Sequence, residues 1–295
     1  MKVLGIIAEY NPFHNGHLYH LKESVDIVKP DYTIAVISGH FTQRGQPTLL
    51  DKWDRTYMAL KSGIDLVLEL PTVYACQTAE LFALGGVQVL HNTGVVTHIS
   101  FGSEIGNITP LKFISKIFEE EPGNYKYILK SCLNEGMSFA DARSKALIQY
   151  LEQTDKCKIA SAESVIKSPN SILAIEYIKA LKRLKSDIEP ITIKRVGSTY
   201  HSSRIENGFA SAASIRHEIA KNGLTPLVKN CLPSYSNEII EQSILSGKCP
   251  INYETFSSMI LGIIRRSSID QIKSWMDVEE GLEFRLKKCG ISASN

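Results

Sequence analysis

His14-Asn15-Gly16-His17 lies near the start of the chain, after the apolar run Val3–Ala8 and the turn Glu9-Tyr10-Asn11-Pro12-Phe13. An apolar strand, a proline-bearing turn and a glycine among histidines at a helix start form the layout of a nucleotide-binding region. There the N–H groups and the positive dipole end of the helix face an anion. Two histidines three apart share one helical face. As imidazolium ions, or as neutral N–H donors, they can brace a triphosphate while it breaks between its α and β phosphates. The chemistry expected is adenylyl transfer. Two blander readings stay open: a pair of surface histidines, or half of a metal site for which the sequence nominates no third ligand. His20 is a third histidine on roughly the same face.

Ser211-Ala212-Ala213-Ser214-Ile215-Arg216 is the second constellation. Serine at a helix start is usually an N-cap. Two hydroxyls three apart, followed by an arginine fork, can also hold the β and γ phosphates. Taken with the histidine motif, the pair points to one nucleotide site.

The elements needed to position these residues follow from periodicity. Val3–Ala8 reads as a strand buried on both faces, because its apolar run is continuous. Helix 16–28, strand Tyr32–Ile37, a polar glycine-bearing loop from Ser38 to Pro47, helix 51–61, strand Leu66–Leu70, helix Ala79–Leu90 and strand His98–Phe101 succeed it. Strand-helix alternation with short loops implies an α/β fold: a Rossmann-like, doubly wound parallel sheet. Ligands in such sheets sit beyond the carboxyl ends of the strands. The turn after the first strand, the Ser38 loop and the turn at Gly102 all lie at that edge. Residues 111–152 read as amphipathic helices and 172–184 as another. Residues 188–196 are the fifth strand candidate, and Gly197–Ala210 reads as a mobile loop. The remainder is helical.

Composition sets the bounds. The 295 residues carry a net charge of +2, with 43% hydrophobic residues, which suits one large domain and a smaller appendage. A nucleic-acid partner must then be held by local patches. Candidate patches are Lys179, Lys182, Arg183 and Lys185 on one helix, and Arg265, Arg266, Arg285, Lys287 and Lys288 near the end. From Lys221 to Asn295 there are nine Lys/Arg against eight Asp/Glu, a net +1. The six cysteines, at 76, 132, 157, 231, 249 and 289, show no C-x-x-C spacing. They suit a reducing cytosol and a cytoplasmic protein. No apolar stretch approaches the roughly 18 residues that a membrane helix needs.

H-N-G-H together with S-x-x-S-I-R resembles the HIGH-type nucleotidyltransferase superfamily. Glu9–His17, Ser38-Gly-His-Phe-Thr-Gln-Arg-Gly45, Asp65–Pro71, Phe101-Gly-Ser-Glu104 and Ser168-Pro-Asn-Ser171 are similar, within it, to the bacterial tRNA(Met) cytidine acetate ligases. The resemblance spans most of the chain. It implies an ATP-dependent ligase that makes acetyl-adenylate from acetate and ATP, then passes the acetyl group to N4 of the wobble cytidine of elongator tRNA(Met). Neither a membrane nor DNA is an expected partner. By the resemblance His14, His17, Ser211, Ser214 and Arg216 carry catalysis. The ATP site runs through Ile7, Ala8, Glu9, Tyr10, Asn11, Pro12, Phe13, His14, Asn15, Gly16, His17, Leu18, Tyr19 and His20, and adds Gly102, Asn170 and Arg195. Mg²⁺ accompanies ATP, held by phosphates and water. Asn170 also reads as a helix N-cap.

Ser38, His40 and Arg44 are the expected contacts to acetate or cytidine. Lys52 and Arg55 read equally as surface charge. Trp53 reads as a packing residue before a base-stacking one, and Asp65 and Glu69 as strand-end caps or ion pairs. The expected division is a catalytic domain over 1–220 and a helical tRNA-binding segment over 221–295. Members of the family continue beyond the stretch Val278–Leu282, so that segment reads as shortened. The alternatives are an adenylyltransferase for a small phosphorylated metabolite, an acetate ligase acting on a protein thiol, and a catalytically silent tRNA-binding relative.

Overall fold

The computed structural model describes residues 1–155, 158–166, 168–196 and 208–293. It contains one sheet of five parallel strands, in the order β3-β2-β1-β4-β5. The strands are β1 (Val3–Ala8), β2 (Tyr32–Ser38), β3 (Leu66–Leu70), β4 (His98–Ser103) and β5 (Glu189–Lys194). The order reverses between β1 and β4. That point is the switch position at which open α/β sheets bind ligands.

Helices cover both faces. Alternate residues of β1 go to different cores: Val3 and Ile7 to one, Leu4 and Ile6 to the other. β2 divides in the same way, with Ile34 and Val36 opposed to Ala35 and Ile37. This double burial is why both strands are apolar without alternation. On the first face lie α3 (Thr72–Ala75), α4 (Ala79–Asn92), α5 (Ile108–Glu120), α6 (Gly123–Asn134), α7 (Phe139–Thr154), α8 (Ile159–Ile166) and α9 (Pro169–Arg183). On the second lie α1 (Asn15–Val28), α2 (Lys52–Lys61), α10 (Ala212–Asn222), α11 (Pro226–Lys229) and α12 (Ser234–Leu245). The expected mobile loop at Gly197–Ala210 falls outside the described residues from 197 to 207.

The chain divides into two compact units, Met1–Pro250 and Ile251–Asn295. The larger unit thus runs past residue 220, because Ile215, Ile219, Val228 and Ile240 belong to the second core. The smaller unit holds α13 (Ser257–Arg266), α14 (Ile269–Lys273) and α15 (Leu282–Ser292). Within it, the Lys287 ammonium donates to the carbonyls of Ile264, Arg265 and Ser267, closing the end of α13. Cations are favoured there by the helix dipole.

Helix α2 departs most from expectation. Asp51 caps it, accepting from the Trp53 and Asp54 amides at 2.9 and 2.8 Å. Its buried face carries Arg55, Met58 and Ala59. Trp53 and Tyr57 fall on the opposite face, so Trp53 is 70% exposed rather than packed. Arg55 is 0% exposed, not surface charge. Its guanidinium donates to the Glu9 carbonyl at 2.6 Å, the Ser38 carbonyl at 2.9 Å, and the Gly39 carbonyl. It thereby ties the turn after β1 to the turn after β2. Burial lowers its pKa to about 10, against the raising effect of Glu9, Asp51 and Glu69. Asp65 and Glu69 do what strand-end acids are expected to do: one accepts from the Thr33 amide at 2.7 Å, the other pairs with Lys52 at 2.6 Å.

Arg55→Met keeps the stem and removes the donors. Each buried acceptor left unpaired costs about 1–3 kcal/mol. Urea unfolding of this variant is expected to show a loss of about 3 kcal/mol or more. A loss below about 1 kcal/mol would show that water replaces the guanidinium.

Candidate active site

A cavity of about 440 Å³ opens at the carboxyl edge of the sheet. Its wall includes Ile7 and Ala8 at the end of β1, Glu9 just after it, Gly102 near the end of β4, and Arg195 beyond β5. His14, Gly16, His17, Tyr19 and His20 come from α1, and Ser211 and Arg216 from the start of α10. The two motifs, almost two hundred residues apart in sequence, therefore share one wall.

The histidines build their own helix start. His14 is the N-cap of α1, and its Nδ1 accepts from the Gly16 amide at 3.0 Å. His17 Nδ1 accepts from the His14 amide at 3.3 Å. This is a capping box made by two imidazoles. An accepting Nδ1 requires the proton on Nε2 in the neutral ring, so each ring keeps Nε2–H as a donor. The rings stack with centroids 3.7 Å apart. A Cβ at Gly16 would sit 2.8 Å from His14 Cε1, so glycine is required by the folded-back ring. No acidic residue occupies the first turn of α1 or α10. Both helix starts are left suited to an anion.

Burial, then the positive Arg195 and Arg216, lowers the His14 pKa from 6.5 to about 3. His17 is pushed well below its ordinary value by burial, then by His14, Arg195 and His20. His20 falls to about 4 through burial and Arg195, and its Nε2 lies 3.1 Å from Ser100 Oγ. Of the two forms expected, the neutral donor is the one present near pH 7 in the ligand-free site.

Ser211 caps α10, its Oγ accepting from the Ser214 amide at 3.1 Å and lying 2.8 Å from Ser214 Oγ. Only Ser211 of the two lines the cavity. Arg216 donates to the Asn11 carbonyl at 2.8 Å, joining α10 to the turn after β1. Five members of the expected nucleotide segment stand behind the wall. Phe13 is in the second core and Leu18 packs against it. Pro12 follows a cis peptide bond. Asn11 accepts from the Leu49 amide at 2.8 Å. Asn15 donates to the Gly208 and Asn230 carbonyls at 3.0 and 2.9 Å.

Asn170 lines the cavity but does not cap α9. That helix starts at Pro169 with Ser168 as N-cap. The Asn170 amide donates to Glu104 Oε1 at 2.8 Å, and the Ser171 amide and hydroxyl donate to Oε2 at 3.0 and 2.7 Å. Burial raises the Glu104 pKa, but these bonds and Arg195 outweigh it and keep the carboxyl below its usual range. Glu104 thus holds the end of β4 to the start of α9, a role its sequence position did not reveal. A Cβ at Gly102 would meet Arg195 Cγ at 3.3 Å.

The Ser38 loop is divided. Arg44 lines the cavity with Thr42, Gln43 and Gln46. Ser38 is buried and gives its carbonyl to Arg55. His40 is exposed, and its carbonyl accepts from the Thr48 amide and hydroxyl. Neither is in the wall.

Below pH 6.5 the unfolded chain protonates its imidazoles while the buried ones stay neutral. Their contribution to stability is therefore complete above 6.5 and is lost as pH falls towards 4 and then 3. Melting temperature is expected to drop over that interval, with a shallower slope in His20→Gln. An identical slope in the variant would show that His20 titrates normally.

The chain matches the HIGH Nucleotidyl Transferase family over residues 1–295. It is 45% identical over 287 residues to a tRNA(Met) cytidine acetate ligase of Halothermothrix orenii, covering 97% of this chain and 68% of that one. It is 46% identical over 295 residues to the protein of the same name from Thermoanaerobacter sp., covering 100% and 71%. A crystal structure of Thermotoga maritima TmcAL bound with alpha-thio ATP superposes with a TM-score of 0.91 at 40% identity, covering 100% of this chain and 68% of that one. The apo form of that protein gives 0.92 at 41% identity, covering 100% and 69%. The chain belongs to the HIGH nucleotidyl transferases and, within them, to the tRNA(Met) cytidine acetate ligase family.

Proposed function

We propose that this chain is an ATP-dependent tRNA(Met) cytidine acetate ligase, working in two steps at the cavity. An acetate oxygen attacks the α-phosphorus of ATP. The new P–O bond gives acetyl-adenylate, and the broken one leaves with its electron pair on pyrophosphate. N4 of the wobble cytidine of elongator tRNA(Met) then attacks the acetyl carbonyl carbon, loses a proton, and displaces AMP. The observation that carries the reading is the pair of Nε2–H donors held by the capping box, on one wall with Ser211 and Arg216.

His14 and His17 offer neutral, preoriented donors to the charge that develops on the α-phosphate and the leaving group. Ser211 and Arg216 hold the pyrophosphate, with Ser214 setting the Ser211 hydroxyl. Gly102, Asn170 and Arg195 receive the adenosine end. Mg²⁺ bound with ATP would be held by the phosphates and water and would neutralise charge there; among the described residues no group of three or more His, Cys, Asp or Glu is placed to hold a metal ion.

The basic helix α9 is a poor tRNA surface. Lys179 pairs with Glu176 at 2.7 Å, Lys182 with Glu119 at 3.3 Å, and Arg183 with Glu80 at 2.7 Å. In the smaller unit Arg265 and Lys287 donate to backbone carbonyls. Arg266, Arg285 and Lys288 are exposed, and we assign phosphate binding to them. No described helix is long and apolar enough to cross a membrane. The cytoplasm, where ATP and tRNA meet, is the compartment inferred.

Exchange of labelled pyrophosphate into ATP is expected to require acetate. His17→Ala should slow it by about 10²–10³-fold, the cost of one transition-state donor. His14→Asn retains a capping side chain. It should leave the melting temperature nearly unchanged while lowering exchange. Full turnover in His17→Ala would remove that residue from the mechanism. Exchange driven by a phosphorylated metabolite instead of acetate would replace the ligase reading. Replacing Arg266, Arg285 and Lys288 by Gln should weaken tRNA binding and flatten its log–log salt dependence by about 1 for each phosphate no longer neutralised. An unchanged salt slope would place tRNA elsewhere.

A further inference from the structure

The cavity has a second, less polar end that the phosphate-binding residues do not use. Its wall is made by Ala79 and Phe82 of α4, Tyr177 of α9, and Phe101 of β4. Phe82, Phe101 and Tyr177 belong to the first core, on the sheet face opposite α1 and α10. Tyr177 is only 3% exposed yet lines the cavity. Its ring packs against Phe101 at 5.5 Å. Its hydroxyl makes no hydrogen bond with any described residue. At the cavity wall that hydroxyl is placed to donate to a ligand oxygen.

Two observations tie this end to the turn after β1 and to the loop after β2. The Glu9 carboxylate, in the turn after β1, is close enough to help burial push the Tyr177 phenol well above its ordinary pKa. The phenol therefore stays a donor throughout the working range. Glu9 is drawn towards the loop, its Oε1 accepting from the Gln43 amide at 2.7 Å. The Gln43 side chain donates to the Gln77 carbonyl at 2.6 Å, two residues before α4. The loop that carries Arg44 is thus fastened to the start of the same helix that supplies Ala79 and Phe82. A small site results, with one hydroxyl donor, an arginine in its rim and aromatic walls.

Resting on the ligase reading above, we propose that this end is the acyl subsite. The Tyr177 hydroxyl donates to a carboxylate oxygen of acetate, and Ala79, Phe82 and Phe101 close around the methyl group. The other carboxylate oxygen points across the β1–β4 switch to the α-phosphorus beside His14 and His17. Tyr177 keeps its proton and serves as a positioning donor. The aromatic wall selects against longer acids by leaving no room for further methylenes, each worth about 10–200-fold in such a pocket.

The test is acid-dependent pyrophosphate exchange without tRNA, with formate, acetate, propionate and butyrate. Tyr177→Phe removes one oxygen and is expected to raise the KM for acetate about tenfold while the KM for ATP stays within about twofold. Phe82→Leu, checked by melting for an intact fold, is expected to raise propionate use relative to acetate about tenfold or more. A Tyr177→Phe enzyme with an unchanged acetate KM overturns the subsite. So does one whose ATP KM rises in parallel, which would make this end the adenine pocket. If Phe82→Leu folds and keeps the wild-type acid preference, the size filter lies elsewhere and that part fails. Wild-type protein without acetate-dependent exchange brings down the function and the subsite together. Wild-type exchange with a silent Tyr177→Phe brings down the subsite alone.

Discussion

Two hydrogen bonds to imidazole Nδ1 atoms organise the catalytic edge of this protein. They do three jobs that other folds assign to separate residues. They satisfy amides at the open end of α1, which would otherwise need a serine or aspartate. They fix the neutral tautomer, so that the remaining proton sits on the outward nitrogen. They also fold the His14 ring against Gly16, where any side chain would collide. An aspartate cap would have supplied the first function and opposed the anion. The neutral, buried rings avoid that conflict, and the same burial that lowers their basicity strengthens each donor.

This arrangement needs a rigid approach, and two arginines supply it through backbone carbonyls. Arg55 joins the turns after β1 and β2 from below, and Arg216 joins α10 to Asn11 from the side. Asn15 adds two bonds to the Gly208 and Asn230 carbonyls. The turn between strand and histidines is thus held from three directions, by groups distant in sequence. A buried guanidinium is expensive unless its donors are met. Here the carbonyls of Glu9, Ser38 and Gly39 meet its two terminal nitrogens, while Nε is buried without a partner among the described residues, and those carbonyls belong to the loops whose relative position decides the shape of the cavity.

Much of this was legible in the chain. The continuous apolar runs at Val3–Ala8 and Tyr32–Ile37 announce strands buried on both faces, and both form the centre of the sheet. The histidine and serine motifs announce helix starts, and both are. What stayed hidden depends on the rotation of helices and on partners far away. Arg55 and Trp53 sit two residues apart on α2, so pattern alone assigns neither to a face: the packing role expected of Trp53 was reversed, and the surface-charge alternative for Arg55 fell. Glu104 carried no role of its own in the sequence because its hydrogen-bond donors come from α9. The cations of α9 looked like a patch because Glu80 and Glu119 lie on other helices. The end of the larger unit at Pro250 was missed because Ile215, Ile219, Val228 and Ile240 complete the sheet's second core, which no local signal states.

The division into two units, with α2 turning its aromatic face outward, has an optical consequence. The chain has two tryptophans. Trp53 stands on the exposed face of α2 in the larger unit, with the Lys52 ammonium 5.3 Å from its ring, and Trp275 lies in the smaller unit. Each unit therefore carries its own intrinsic fluorophore. Emission from a chain retaining only Trp53 reports on the helix whose inner face clamps the catalytic turns. Emission from one retaining only Trp275 reports on the other unit.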